Sequence, residues 1–325
     1  MNLRQRAPII IAEMIGELRG STPRPDELKA VTSGASGRII LRGGGVLGIC
    51  WTNERADNNS FLPAARGLAR AGIPVPAVLA ERRLPDDGGA CLVTDLGPCE
   101  LVRLRDASWP VKRDAWLAAF RTLRQLDALV PDWPLQPPFD AALYRWEQEY
   151  FAQHLIGRHL VGDADAFLQT EAPRRVADWL ASQARVPVHR DCQSPNIMIR
   201  DGVAWLVDFQ GMRMGLREYD LASLLFDAHM PMLPEQRTEL LDAWAELSGA
   251  PVDPERFAAC ALQRIMQALG AYANIGYNQG KPEYLDLIPI GLKHLREAID
   301  LIPPNTLTAT LIPCLPEAAR FASPL

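Results

Sequence analysis

Apolar residues recur at helical spacing over residues 1–20, and the run closes at Gly20, which predicts an amphipathic N-terminal helix. Pro23 and Pro25 interrupt the pattern. Beyond them the apolar runs become short and rich in β-branched residues. Leu28–Val31, Arg38–Arg42 and Val46–Trp51 read as short strands, joined by Thr32-Ser33-Gly34-Ala35-Ser36-Gly37 and by Gly43-Gly44-Gly45. Helical spacing returns over Asn59–Ala71, closed by Gly72 and stopped by Pro74. Pro76–Glu81 and Ala90–Asp95 supply further strands and complete an antiparallel sheet. The spacing then turns helical over Val111–Val130, Asp140–Leu160, Ala172–Ala184, Tyr219–Ala228, Glu235–Ser248, Pro254–Asn278 and Glu283–Leu301. A proline-rich stretch, Pro131 to Pro138, divides the first pair of these helices. The expected class is α+β, with a small sheet-rich lobe over residues 1–97 and a larger helical lobe over 98–325.

Composition narrows the possibilities by exclusion. With 325 residues, 48% of them hydrophobic, the chain can bury a substantial core. Its formal net charge of −5 gives no basic field of the kind nucleic-acid binding requires. The 6 cysteines are scattered, with neither C-x-x-C pairs nor a metal-site rhythm, and read as free thiols in a reducing compartment. Pro8-Ile9-Ile10-Ile11-Ala12 superficially resembles a signal core, but Glu13 and Glu17 break it and no small-residue cleavage pattern follows. No apolar run is long enough to span a membrane. The expected location is the cytoplasm.

The chemistry concentrates between positions 189 and 211. His189-Arg190-Asp191-Cys192-Gln193-Ser194-Pro195-Asn196 has the form H-x-D-x-x-x-x-N, and Asp208-Phe209-Gln210-Gly211 follows. Between them, two apolar runs flank Asp201-Gly202 and predict a tight hairpin. A two-residue loop sets Asn196 diagonal to Asp208; a three-residue loop sets them directly opposite. Either register brings an amide oxygen and a carboxylate to the open end of the hairpin, within reach of one hard cation such as Mg²⁺. Asp191 then lies beside that site, placed to accept a proton from an attacking hydroxyl. The set suits phosphoryl transfer from Mg-ATP to an alcohol. The competing reading is a strand-edge loop whose polar groups only satisfy turn hydrogen bonds.

These residues resemble the protein-kinase-like superfamily, and within it the aminoglycoside phosphotransferase branch. The resemblance implies a bilobal kinase-like fold, ATP and Mg²⁺ as cofactors, Asp191 as catalytic base and Asn196 and Asp208 as metal ligands. Only a dozen residues separate Asp208 from Asp220 of Tyr219-Asp220-Leu221-Ala222, and no A-P-E follows. That leaves no room for the segment with which protein kinases hold a peptide. The implied acceptor is a small molecule. The resemblance also places the loop holding Ser33, Gly34, Ser36 and Gly37 over the ATP phosphates, an ordinary hairpin turn being the alternative. It places a hinge for adenine at Leu92-Val93-Thr94-Asp95-Leu96-Gly97.

The chain departs from the pattern on the third strand. Val46-Leu47-Gly48-Ile49-Cys50-Trp51 lacks the lysine that pairs with phosphates in most relatives, and the following helix lacks its glutamate partner. Phosphate charge is left to the metal, to loop amides and to Arg38 or Arg42. Lack of the lysine together with D-F-Q resembles the branch of anomeric N-acetylmuramate/N-acetylglucosamine kinases. So do Gln263 to Tyr272, Gly280-Lys281-Pro282-Glu283-Tyr284-Leu285 and the region of Trp146-Glu147. An amino sugar is thereby the first acceptor to test.

The remaining candidates each carry two readings. Glu147 holds sugar hydroxyls or is a solvated helix glutamate. Arg213 and Arg217 grip an acceptor carboxylate or a phosphate, or are surface charge. Arg264 faces the cleft or pairs internally, and Arg190 meets phosphate or a nearby carboxylate. His189 orders the catalytic loop or carries a proton, and Asp220 accepts backbone amides of that loop, as support and not chemistry. The rival functional readings are a nucleotide-binding pseudokinase and a kinase for another acceptor, such as an aminoglycoside, choline or homoserine.

Overall fold

The structure, a computed structural model, describes residues 2–31, 37–84 and 88–320. Helix α1 (Leu3–Arg19) starts at a capping box, in which Asn2 accepts from the Gln5 amide while the Gln5 side chain accepts from the Asn2 amide. The sheet follows as β1 (Lys29–Val31), β2 (Ile39–Gly43) and β3 (Val46–Trp51). After a 3₁₀ turn at Ala56–Ser60 come α2 (Phe61–Arg70), β4 (Val78–Arg83) and β5 (Gly89–Thr94). The strands are antiparallel throughout, in the order β1-β2-β3-β5-β4. Alternation along them buries both faces. Val46, Cys50, Ala90 and Leu92 pack with Ile11 and Ile15 of α1, while Ile49, Trp51, Cys91 and Val93 pack with Leu68 of α2. At Gly48 a Cβ would lie 2.4 Å from Ile11 Cγ2, so the helix rests directly on β3.

The helical part comprises α3 (Trp109–Asp127), α4 (Ala141–Phe151), α5 (Ala164–Gln169) and α6 (Glu171–Ser182). Strand β6 (Val186–Val188), hairpin strands β7 (Ile197–Arg200) and β8 (Val203–Leu206), and β9 (Arg213–Gly215) come next. Helices α7 (Arg217–Leu225), α8 (Pro234–Ser248), α9 (Pro254–Asn278), α10 (Ile288–Asp300) and α11 (Glu317–Arg320) complete it. Residues of α2, α3, α7 and α9 share one continuous core. The proline-rich connector fastens the lobes together: Trp133 covers Gly67 of α2, Gln136 donates to Ser60 Oγ at 2.7 Å, and the Phe139 amide donates to Met214 O at 2.9 Å.

Several boundaries differ from the sequence reading for local reasons. The helix expected from Asn59 begins at Phe61, because the 3₁₀ turn takes the residues before it. The helix expected over Asp140–Leu160 changes after Phe151 to a π-helix over Ala152–His159. The helix expected from Glu283 begins at Ile288, behind a 3₁₀ turn at Pro282–Leu287; an α-helix extended backwards would drive the Pro289 ring into the carbonyl four residues earlier. The pairing of β6 with β9 and the short helix α5 were not foreseen, since a three-residue strand carries too little alternation to register.

Candidate active site

The β7–β8 hairpin sets the geometry. Arg200 pairs with Val203 and Ile197 with Leu206, so the loop is Asp201-Gly202 alone. Both loop residues have positive φ, 52° and 74°, the backbone a type I′ turn demands. Asn196 and Asp208 therefore sit diagonally at the open end. Asp208 is itself left-handed, with φ 63° and ψ 31°, and opens a 3₁₀ turn that directs Phe209 into the core. The Phe209 ring stacks on Phe61 of α2 with centroids 5.3 Å apart.

Helix α7 holds the loop over residues 189–196 from both ends. Asp220, in its first turn, accepts from the His189 amide at 2.6 Å and the Arg190 amide at 2.9 Å. Burial pushes its pKa up to about 7, against those hydrogen bonds. Asp227, just past the other end, accepts from the Ser194 amide at 2.6 Å and the His229 amide at 2.9 Å. The second clamp escaped the sequence reading, because Phe226-Asp227-Ala228 belongs to no motif. His189 lies 2.9 Å from Val207 O through Nε2, and burial holds its pKa below the usual imidazole range. Its role among the described contacts is to tie the loop to the hairpin.

Asp191 lies in a ring of cations. Arg190 Nη1 stands 3.6 Å from one carboxylate oxygen and Arg264 Nη2 stands 3.9 Å from the other. Burial alone would raise its pKa, but Arg190, Arg264, His189 and Arg213 outweigh it and hold the carboxyl below the ordinary range. Arg264 is fixed by Ser223 Oγ at 2.9 Å and by Gln267. Arg213 donates to Gly211 O and lies over the Phe139 ring. Asn196 spends its amide nitrogen on Asp191 O at 2.9 Å, which leaves its side-chain oxygen for another partner. Asp208 accepts from Gln210 at 3.0 Å and is ion-paired with Arg38. An amide oxygen beside a carboxylate fits a hard divalent cation shared with phosphate.

Other candidates lie elsewhere. Glu147 has 0% exposure and accepts from Tyr219 at 2.7 Å and Gln263 at 3.0 Å, so neither reading of it as a surface group matches its position. Burial raises its pKa. Arg217 turns toward α3, with Nη1 3.5 Å from Asp127. At the hinge, the Asp95 carboxylate is taken by Arg42 at 2.7 Å and by the Gly97 amide at 2.9 Å, and Leu96 is buried. Gly37 has a positive φ of 70°. Ser33, Gly34 and Ser36 lie outside the described residues.

Fold and site together define a kinase-like phosphotransferase. The chain belongs to the phosphotransferase enzyme family, whose pattern matches residues 27–260. It is 29% identical to the N-acetylmuramate/N-acetylglucosamine kinase of Pseudomonas aeruginosa, over 94% of this chain and 93% of that one. It is 31% identical to the protein of the same name from Pseudomonas putida, over 78% and 76%. Its fold is similar to an aminoglycoside phosphotransferase of Streptomyces rimosus solved with ADP and streptomycin, with a TM-score of 0.59 at 19% identity, covering 82% of this chain and 98% of that one. No helix among the described residues is long and apolar enough to cross a membrane.

Proposed function

We propose that the protein transfers the γ-phosphoryl group of Mg-ATP to a hydroxyl of an amino sugar, the anomeric hydroxyl of N-acetylmuramate or N-acetylglucosamine first among the acceptors. The observation that carries this reading is the position of Asp191, ionised within a ring of arginines beside the Asn196–Asp208 pair. The names of the Pseudomonas relatives support the sugar, and the ADP bound by the Streptomyces neighbour supports the nucleotide.

In this reading Asp191 accepts the proton of the attacking hydroxyl, and Asn196 and Asp208 hold Mg²⁺. The metal neutralises phosphate charge when bound. The loop with Ser33, Gly34, Ser36 and Gly37 covers the phosphates, and the backbone at Asp95 and Leu96 receives adenine. Residues 1–97 then form the nucleotide lobe and 98–325 the lobe that carries acceptor and base. Arg190, Arg213 and Arg264 outnumber the carboxylate they surround. The surplus suits an anionic acceptor, such as a sugar with a lactyl carboxylate, and the charge that develops at transfer. The cytoplasm, where ATP is available, is the proposed location.

The test is phosphate transfer by the purified full chain, followed by ³¹P NMR, with N-acetylmuramate, N-acetylglucosamine, choline and streptomycin as acceptors. A Mg²⁺-dependent sugar 1-phosphate, lost in Asp191→Asn, is the expected result. Nucleotide binding without turnover on any acceptor would replace the enzyme reading with the pseudokinase, and turnover on choline or streptomycin alone would replace the sugar.

A further inference from the structure

We infer that Arg38 supplies the phosphate-binding cation that β3 lacks, and that Asp208 holds it in readiness until a divalent metal takes that carboxylate. The inference rests on the nucleotide reading above and deepens it. Strand β3 carries Val46, Leu47, Gly48, Ile49, Cys50 and Trp51, with no cation among them. Arg38 immediately precedes the neighbouring strand β2, one residue before the Ile39–Cys50 pair. Its side chain is only 4% exposed, yet it crosses from the sheet lobe to pair with Asp208 of the helical lobe. The guanidinium lies 5.6 Å from the Phe61 ring centroid, and Phe61 stacks in turn on Phe209, next to Asp208. Arg38 Nε is buried without a hydrogen-bond partner.

Charge balance gives this pair a consequence. Arg38 and Asp208 neutralise each other as they stand. A divalent cation ligated by Asp208 would face the buried guanidinium with like charge at close range, unless an anion joins them. The anion that arrives with the metal in a kinase is the phosphate chain, and a planar guanidinium suits two phosphate oxygens at once. Arg42, the other arginine the sequence offered for this role, is committed to Asp95 through bonds of 2.7 and 3.0 Å.

The test uses the full chain with Arg38→Gln and Arg38→Lys, titrated calorimetrically with MgADP and, separately, with adenosine. Arg38→Gln is expected to weaken MgADP about 10- to 100-fold while adenosine binding stays unchanged, because only the phosphates lose a partner. Arg38→Lys should recover part of the loss. MgADP binding to Arg38→Gln as tight as to the parent, or tighter, overturns the inference and leaves Arg38 as a latch between lobes that competes with the metal. If Arg38→Gln does not fold, the lysine variant decides: several-fold weaker MgADP with unchanged adenosine supports the role, and equal MgADP affinity overturns it. A parent chain that binds no MgADP overturns the nucleotide reading and this role with it, an outcome distinct from failure of Arg38 alone.

Discussion

Arg264 of α9 approaches Asp191 to 3.9 Å while Ser223 of α7 fixes its Nε at 2.9 Å. The cation is thus anchored from behind, and its charge acts on the carboxylate without forming a close bond that would occupy it. Replacement by methionine removes charge and keeps most of the length. Burial then opposes ionisation of Asp191 with less resistance, so the acid limb of the kcat/KM profile should move to higher pH. A pH–rate profile checks this; an unshifted limb would mean that Arg190 and Arg213 suffice.

Asp191→Asn should lower kcat by about 10²- to 10⁴-fold, the range of a lost general base. MgADP affinity should be little changed, since Asp191 shares no ligand position with Asn196 and Asp208, whereas thermal stability should fall, because Arg190 and Arg264 lose the carboxylate between them. Steady-state kinetics and calorimetry on the same preparation separate the two effects.

Asp220 gives a second pH dependence with a defined sign. Above a pKa of about 7 its carboxylate accepts both loop amides; below it the added proton weakens one of those bonds. Activity should therefore rise with pH through neutrality, and Asp220→Asn should be slow with this rise abolished. Stability should run the other way. Between the ordinary value of 3.8 and about 7 the folded state binds a proton that the unfolded state releases, so this group's contribution falls as pH rises across that window. Denaturation at several pH values, for parent and variant, measures it.

Glu147→Ala should cost about 1–3 kcal/mol of stability, because Tyr219 and Gln263 lose a shared acceptor in the core. The acceptor KM should stay unchanged, since no part of Glu147 reaches the surface. Denaturant titration together with acceptor kinetics checks both; a raised KM with intact stability would return Glu147 to the substrate.

How much was legible depends on how local the cause is. The strands, the hairpin and the loop that precedes it were readable because Gly, Pro and alternation act over a few residues. Asp201-Gly202 is the clearest instance, since both positive φ values are written in the residue types. Asp220 was readable as a helix-first-turn acceptor for the same reason. Glu147 was not, because the two donors to its carboxylate stand 72 and 116 residues away along the chain. The Arg38–Asp208 pair, separated by 170 residues, and the Asp227 clamp likewise exist only once lobes and helices have packed.

The sequence by itself determined the local order of the candidate set, because Asp191, Asn196 and Asp208 lie within one loop and one hairpin whose geometry short-range sterics dictate. The tertiary structure alone decided which charges surround that set. Electrostatic partners are chosen by proximity in space, and packing brought Arg38, Arg213 and Arg264 toward it while it carried Glu147 into the core and turned Arg217 to α3.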